Sequence, residues 1–344
     1  MIIREADIDA DRATLIDFLR ENLTSQSDEK RFDWLYRSNP YGEARAWIAF
    51  DEGKGSVIGV AAAFPRLVRV SSQDLLCWNL GDFAIKKGYR SLGPALLLQR
   101  ACLAQVNEGE IPFFYDHPSD RMMAIYERIG IPATGRVVRF AKLVGIDLKV
   151  AQFLQYGPLA QGVSALGNLL LAVKDRKRAV HKGLTISLCT GRFGEDFSHL
   201  DEKVSGHFKI YGRRTTQYLN WRYGDNPLQE YTILTVRHDA ELLAYAIFSQ
   251  IGQTAVLVDL FGHPQPDIIA FLLAALVDGL RQRGILTLSA PALESSPFNS
   301  FLKQAGFFVR ESSSFIVYTQ KNGPLDGVVT EAGNWFLTHG DRDI

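Results

Sequence analysis

Apolar runs, each closed by Gly, Pro or a short polar cluster, divide the first 145 residues into a regular series of elements. Residues 2–4 (Ile-Ile-Arg) read as a strand, and residues 9–21 carry Leu15, Ile16, Phe18 and Leu19 at helical spacing. Residues 32–37 form a second helical piece, ended by Ser38-Asn39-Pro40 because the residue before proline is pushed out of the helical region. The pattern then predicts strands at 46–50 and 57–64 joined by an Asp-Glu-Gly-Lys-Gly turn, further strands at 67–70 and 75–85, and a helix marked by Leu96, Leu97, Gln99, Arg100 and Leu103. A buried strand at 111–115, a short helix at 121–128 stopped by Gly130, and a last strand at 136–144 complete the series.

The same order recurs further on. Strands are predicted at 184–189, 231–237, 242–250 and 255–261, a helix at 267–283, a strand at 286–290, a short helix at 297–305 and a closing strand at 307–320. Trp34-Leu35-Tyr36-Arg37-Ser38-Asn39-Pro40 and Trp221-Arg222-Tyr223-Gly224-Asp225-Asn226-Pro227 share W-x-Y-x-x-N-P at an offset of 187 residues, which marks a doubled unit. The expected organisation is a first domain at 1–145, a helical connector at 146–183, a second domain at 184–321 and a tail at 322–344. The connector's apolar pieces are interrupted by Gln, Gly, Pro and Asn and are too short to span a bilayer. Packing on both halves is the expectation for it, and an interfacial helix with a basic flank touching a membrane surface is the alternative. In the tail, Trp335 and Phe336 are out of place on a solvated terminus, so docking across the domain interface is set against fraying.

Chemistry gathers after the strand at 75–85. A basic turn, Lys86-Lys87-Gly88, leads through Tyr89-Arg90-Ser91-Leu92-Gly93-Pro94 into a helix, and a helix start presents unpaired N–H groups and partial positive charge. Gly93 lets a ligand approach the backbone, and Lys86, Lys87 and Arg90 add cationic charge. The expected guest is an anion.

Arg90-Ser91-Leu92-Gly93-Pro94-Ala95 resembles Arg/Gln-x-x-Gly-x-Gly/Ala, the acyl-CoA pyrophosphate signature of the GNAT acetyltransferase superfamily. Residues 122–131 (MMAIYERIGI) resemble the GNAT segment whose tyrosine lies beside the coenzyme sulfur. Pro94 departs from the pattern by lacking an N–H, and Ser119 and Asp120 stand where the family commonly has Asn. The resemblance implies an α/β (α+β) fold of two tandem GNAT-like domains, each a mixed, mostly antiparallel twisted sheet flanked by helices. It implies acetyl-CoA or another acyl-CoA as co-substrate, held by Ile85, Lys86, Lys87, Arg90, Ser91, Leu92, Gly93, Ala95 and Ser119.

The activity so implied is N-acyl transfer to an amine. Tyr126 is then the general acid for the sulfur, and Asp82, or Asp116 with His117, takes the ammonium proton. The oxyanion donor is an amide between Phe83 and Ile85, freed by a bulge expected at Gly81. In the second half, Gly262-His263-Pro264-Gln265-Pro266-Asp267 and Leu302 stand where the loop and the phenol would be, so that half is expected to bind no coenzyme. The W-x-Y-x-x-N-P segments and the tail resemble GNAT-like proteins encoded with bacterial polysaccharide assembly genes, implying a small-molecule or glycan amine acceptor such as an amino sugar. A FemAB-like aminoacyl transferase and a non-catalytic binding protein on the same fold are the rival readings.

Composition narrows the partners. With 47% apolar residues and 22% charged, the chain is an ordinary globular sequence, and Lys plus Arg (38) balance Asp plus Glu (38), which disfavours nucleic acid. Cys77, Cys102 and Cys189 show no metal-ligand spacing, so no metal is expected. The start of the sequence shows no charged-then-apolar leader, and a cytoplasmic setting is expected.

Overall fold

The computed structural model describes residues 1–90, 92–145 and 183–342. The expected connector therefore lies, but for its last residue, outside the described residues, as does Ser91.

In the first half β1 (Ile2–Glu5), β2 (Arg45–Asp51), β3 (Ser56–Val70) and β4 (Gln73–Ile85) pair antiparallel in sequence order. β3 is one strand, where the sequence pattern predicted two pieces broken at Pro65. On that edge β2 pairs with β3 as far as Ala63 and another partner begins at Val68, so Pro65 falls where no strand asks for its missing N–H. The Pro65 carbonyl accepts from the Asn39 side chain at 2.8 Å.

After β4 the helix Leu92–Asn107 buries Ala95, Leu98, Cys102, Leu103 and Val106, one face at helical spacing, and returns to β5 (Phe113–Asp116), parallel to β4. The helix Asp120–Arg128 and β6 (Gly135–Leu143) follow.

The second half repeats this plan with β7 (Leu184–Cys189), β9 (Thr232–His238), β10 (Glu241–Ile251), β11 (Thr254–Gly262), the helix Pro266–Gln282, β12 (Thr287–Leu293) and β13 (Phe308–Thr319). Two short strands, β8 (Ile210–Gly212) and β14 (Trp335–Phe336), were not visible in the sequence pattern. The main sheet runs β1-β2-β3-β4-β5-β13-β6-β12-β11-β10-β9-β7. The closing strands are exchanged. β6 of the first half pairs with β12 along Thr287↔Leu143 to Leu293↔Val137, while β13 of the second half lies against β5 through Ile316–Thr319 and against β6 through its earlier residues. Each half is thus finished by the other's last strand.

The repeated tryptophan motif sits at the centre of this symmetry. Asp33–Arg37 and Asn220–Gly224 are both π-helical turns, in which the Ser38 N–H reaches the Asp33 carbonyl and the Asp225 N–H reaches Asn220. The α-helical acceptors one residue on, the carbonyls of Trp34 and Trp221, are taken instead by indoles. Trp34 Nε1 donates to the Trp221 carbonyl at 2.7 Å and Trp221 Nε1 to the Trp34 carbonyl at 2.8 Å, with the rings stacked 5.3 Å apart. Residues from both halves share one apolar core around this pair, including Leu15, Tyr36, Val60, Tyr245 and Leu260. No helix among the described residues is long and apolar enough to cross a membrane.

The tail docks across the interface. Trp335–Phe336 lies parallel to β8, which is itself antiparallel to β3, and Trp335 is 1% exposed. A Cβ on Gly340 would collide with the Tyr223 hydroxyl, so any other residue there would force this buried tyrosine to shift. The buried Asp341 carboxylate bridges the halves, with Arg66 at 3.1 Å and Arg214 at 2.6 Å. Burial works against its ionisation, but Arg214 and Arg66 outweigh it and hold the carboxyl below the usual range. Removing one member of such a cluster strands buried charge, so Asp341→Ala is expected to cost about 3–5 kcal/mol, read from the shift of the urea denaturation midpoint. An unchanged midpoint would show that the tail does not tie the halves together.

Candidate active site

β4 and β5 pair only where Trp78 and Asn79 meet Phe114 and Tyr115, and then diverge. The fork between them opens a cavity of about 870 Å³. The divergence begins with a bulge: Val60 faces Ala84 but Ala62 faces Gly81, so β4 carries one residue more than β3. The sequence pattern placed the special backbone position at Gly81. The residue with positive φ is its neighbour, Asp82, at +45°.

A non-glycine residue in that region carries a cost, and here a polar clamp offsets it. Arg31 donates two hydrogen bonds to the Asp82 carboxylate, at 2.8 and 2.5 Å, and the Tyr36 hydroxyl donates a third at 2.8 Å. Both side chains of the ion pair are 2% exposed. Burial first, then the Asp82 charge, pushes the Tyr36 phenol well above its ordinary value, so it remains a donor. Asp82, the sequence's candidate proton acceptor, therefore sits at the bulge with both oxygens engaged by Arg31 and Tyr36.

The other arm of the fork ends in Asp116-His117-Pro118, followed by Ser119, whose hydroxyl accepts from the Met122 N–H and caps the helix Asp120–Arg128. This helix is amphipathic, and its buried face is Met122, Met123 and Tyr126. The fully buried Tyr126 hydroxyl donates to Asp116 at 2.7 Å and accepts from the Gln99 side chain at 3.2 Å. Gln99, Tyr126 and Asp116 form a hydrogen-bonded chain in the cavity wall, and the sequence reading found its second and third members but not the first.

His117 lines the same cavity, set edge-on to Tyr115 and beside Phe315, and its Nδ1 has no hydrogen-bond partner among the described residues. Burial, with the charge of Arg342 adding, brings the imidazole down to about 3, so the ring is neutral at ordinary pH.

Ile85, Arg90, Leu92, Ala95 and Ser119 also line the cavity, with Arg90, Leu92 and Ser119 exposed to solvent. Arg90 Nε donates to the Ile85 carbonyl at 3.1 Å. Lys86, Lys87 and Gly93 are outside the lining. A Cβ on Gly93 would meet nothing within 4 Å, so the fold does not require glycine there. Further lining comes from Arg31, Arg121, Leu228 and Arg342, isolated residues in the sequence that no local pattern singled out.

Against known proteins, no family model and no curated sequence matches the chain. Solved structures do. A GCN5-related N-acetyltransferase from Anabaena variabilis superposes with a TM-score of 0.64 at 13% identity, covering 92% of this chain and 72% of that one. Saccharomyces cerevisiae N-myristoyltransferase with bound myristoyl-CoA matches at a TM-score of 0.57 and 12% identity, covering 99% and 86%. Eis1 from Mycobacterium abscessus matches at 0.57 and 13%, covering 93% and 74%. The chain has the GNAT fold.

Both GNAT-like halves contain the fork, but only one is open. β11 and β12 pair over Thr254–Val256 and Thr287–Ser289 and then diverge, with a bulge at the matching place in β11. Asp259 stands at that bulge, with Tyr223 at 3.5 Å and Arg214 at 3.3 Å in the manner of Tyr36 and Arg31. The space is filled by the chain's own tail: Phe336, Leu337 and Thr338 enter it, and Thr338 Oγ1 donates to Asp259 at 3.0 Å. About 20 Å³ is left, walled in part by Leu302.

The buried neutral His117 gives the GNAT domain a measurable pH dependence. In the unfolded chain an imidazole titrates near 6.5, so the stability tied to its burial is fully present above that pH and is lost as pH falls towards about 3. Between pH 7 and pH 5 the wild type should lose about 2 kcal/mol more than His117→Phe in urea denaturation. Parallel losses would contradict a buried, neutral ring.

Proposed function

We propose that the chain is an acyl-CoA-dependent N-acyltransferase working in the fork between β4 and β5. The observation that carries this reading is the open fork itself, with a helix start and Arg90 at its mouth and the Gln99–Tyr126–Asp116 chain in its wall. The residues present fit an acyl-CoA. The cavity volume suits a pantetheine arm with its acyl group, and the open space at Gly93 leaves the helix start accessible to phosphates. The yeast N-myristoyltransferase neighbour, with its myristoyl-CoA, supports an acyl-CoA as co-substrate.

Acyl transfer asks for three services. A backbone amide next to the bulge, between Phe83 and Ile85, stabilises the oxyanion that forms when the amine attacks the thioester carbonyl. Asp116 takes the proton released by the attacking amine, and Tyr126 gives its proton to the departing sulfur. Their 2.7 Å hydrogen bond then returns the proton from Asp116 to Tyr126, which closes the cycle. Neutral His117 borders the acceptor side. Leu228 of the second half lines the same cavity, so that half helps to shape the acceptor site. The acceptor is an amine, and by resemblance an amino sugar of a polysaccharide pathway, acylated in the cytoplasm.

Calorimetry with acetyl-CoA and a longer acyl-CoA should show binding to the wild type and none to Gly93→Asp, a variant whose fold has no reason to change. Absence of binding to any acyl-CoA would remove this reading. Tyr126→Phe should keep acyl-CoA affinity while turnover falls about tenfold to a thousandfold, since a thiolate leaves moderately well unaided. An unchanged rate would take Tyr126 out of the mechanism.

A further inference from the structure

The tail that closes the second fork also delivers a cation to the first. The Asp341 carbonyl accepts from the Tyr115 hydroxyl at 2.9 Å and from the Asn79 side chain at 3.4 Å. These are the last residues of β5 and β4 that still pair before the strands part. The next carbonyl, of Arg342, accepts from Arg222 Nη2 at 2.8 Å. The backbone at 341–342 is therefore pinned at the vertex of the fork from both halves of the molecule.

The Arg342 side chain reaches the cavity and, among the described residues, makes no hydrogen bond or ion pair. The two carboxylates that share this lining have other partners. Asp82 is held by Arg31 and Tyr36, and Asp116 receives the Tyr126 hydroxyl. A guanidinium that lines a cavity on an anchored backbone, with no partner among the described residues, presents a planar donor fork matched to a carboxylate or phosphate. That anion is not the coenzyme's. The helix start and Arg90 lie beyond Ile85, roughly 20 Å along β4 from Asn79 at the usual rise per residue. What approaches the vertex is the acyl end of the co-substrate and the amine that attacks it.

We propose that Arg342 recognises an acidic group, carboxylate or phosphate, carried by the acceptor amine. This rests on the acyl-transfer reading and narrows it to anionic amines. It also gives the tail a part in the reaction site as well as in the interface. Because Tyr115, Asn79 and Arg222 hold backbone carbonyls, changing the side chain at 342 leaves those anchors in place.

The test uses two pairs of amines at saturating acetyl-CoA, with thiol release as the readout: glucosamine against glucosamine 6-phosphate, and glycinamide against glycine. In the wild type the acid-bearing member of one pair should be used at least about tenfold better in kcat/KM, which also says whether phosphate or carboxylate is read. Arg342→Ala should bring that pair to within about twofold, chiefly through KM, and Arg342→Lys should recover part of the preference. Equal use of both members of both pairs, or a preference that survives Arg342→Ala, overturns the proposal. Calorimetry with acetyl-CoA separates the two layers. Binding retained in wild type and Arg342→Ala with no acid preference sinks this inference alone, and no binding in either sinks the reading beneath it.

Discussion

One carboxylate, that of Asp341, governs how the two halves of this molecule differ. It pairs in the interior with Arg66 from the first half and Arg214 from the second, and removing it would leave both buried guanidiniums short of a counter-charge. Three residues of tail upstream of it occupy one fork, and the residue after it borders the other. The asymmetry of a nearly two-fold molecule thus follows from where a single strand of chain is anchored.

The symmetry beneath is equally physical. Two π-turns each release a carbonyl, and each carbonyl is taken by the other half's indole. Exchange of the closing strands β6 and β13 then merges two sheets into one, so the forks are built on a shared and rigid frame. In both forks a bulge is held by an Asp with Arg and Tyr partners, Asp82 with Arg31 and Tyr36, Asp259 with Arg214 and Tyr223. The polar clamps are retained in each half, whereas the hydrogen-bonded chain of Gln99, Tyr126 and Asp116 belongs to the open fork alone. In the closed one Leu302 lies against the tail.

Much of this was legible from residues. Apolar periodicity located most strands and the two long helices, and the two copies of W-x-Y-x-x-N-P fall on the two π-turns whose indoles meet. The rest depended on contacts that local sequence does not encode. β6 and β13 both read as closing strands, and nothing in either says which sheet it closes. A three-residue strand such as Ile210–Gly212 leaves no periodicity to detect. The bulge expected at Gly81 is there, between Gly81 and Ala84, but the positive φ falls on Asp82, whose carboxylate is held by Arg31, 51 residues away. Tyr126, Asp116 and His117 were found by their place after a strand and on a helix face. Gln99 and Arg342 were missed, since a buried glutamine and a lone arginine in a tail have meaning only once the fork is assembled.

The tail fills one fork and leaves the other, between β4 and β5, open to a coenzyme. A crystal structure with acetyl-CoA bound would decide whether coenzyme uses that opening. One coenzyme per chain is expected, its pantetheine arm between β4 and β5 with the sulfur near Tyr126. Coenzyme between β11 and β12, in place of Phe336, Leu337 and Thr338, would overturn this.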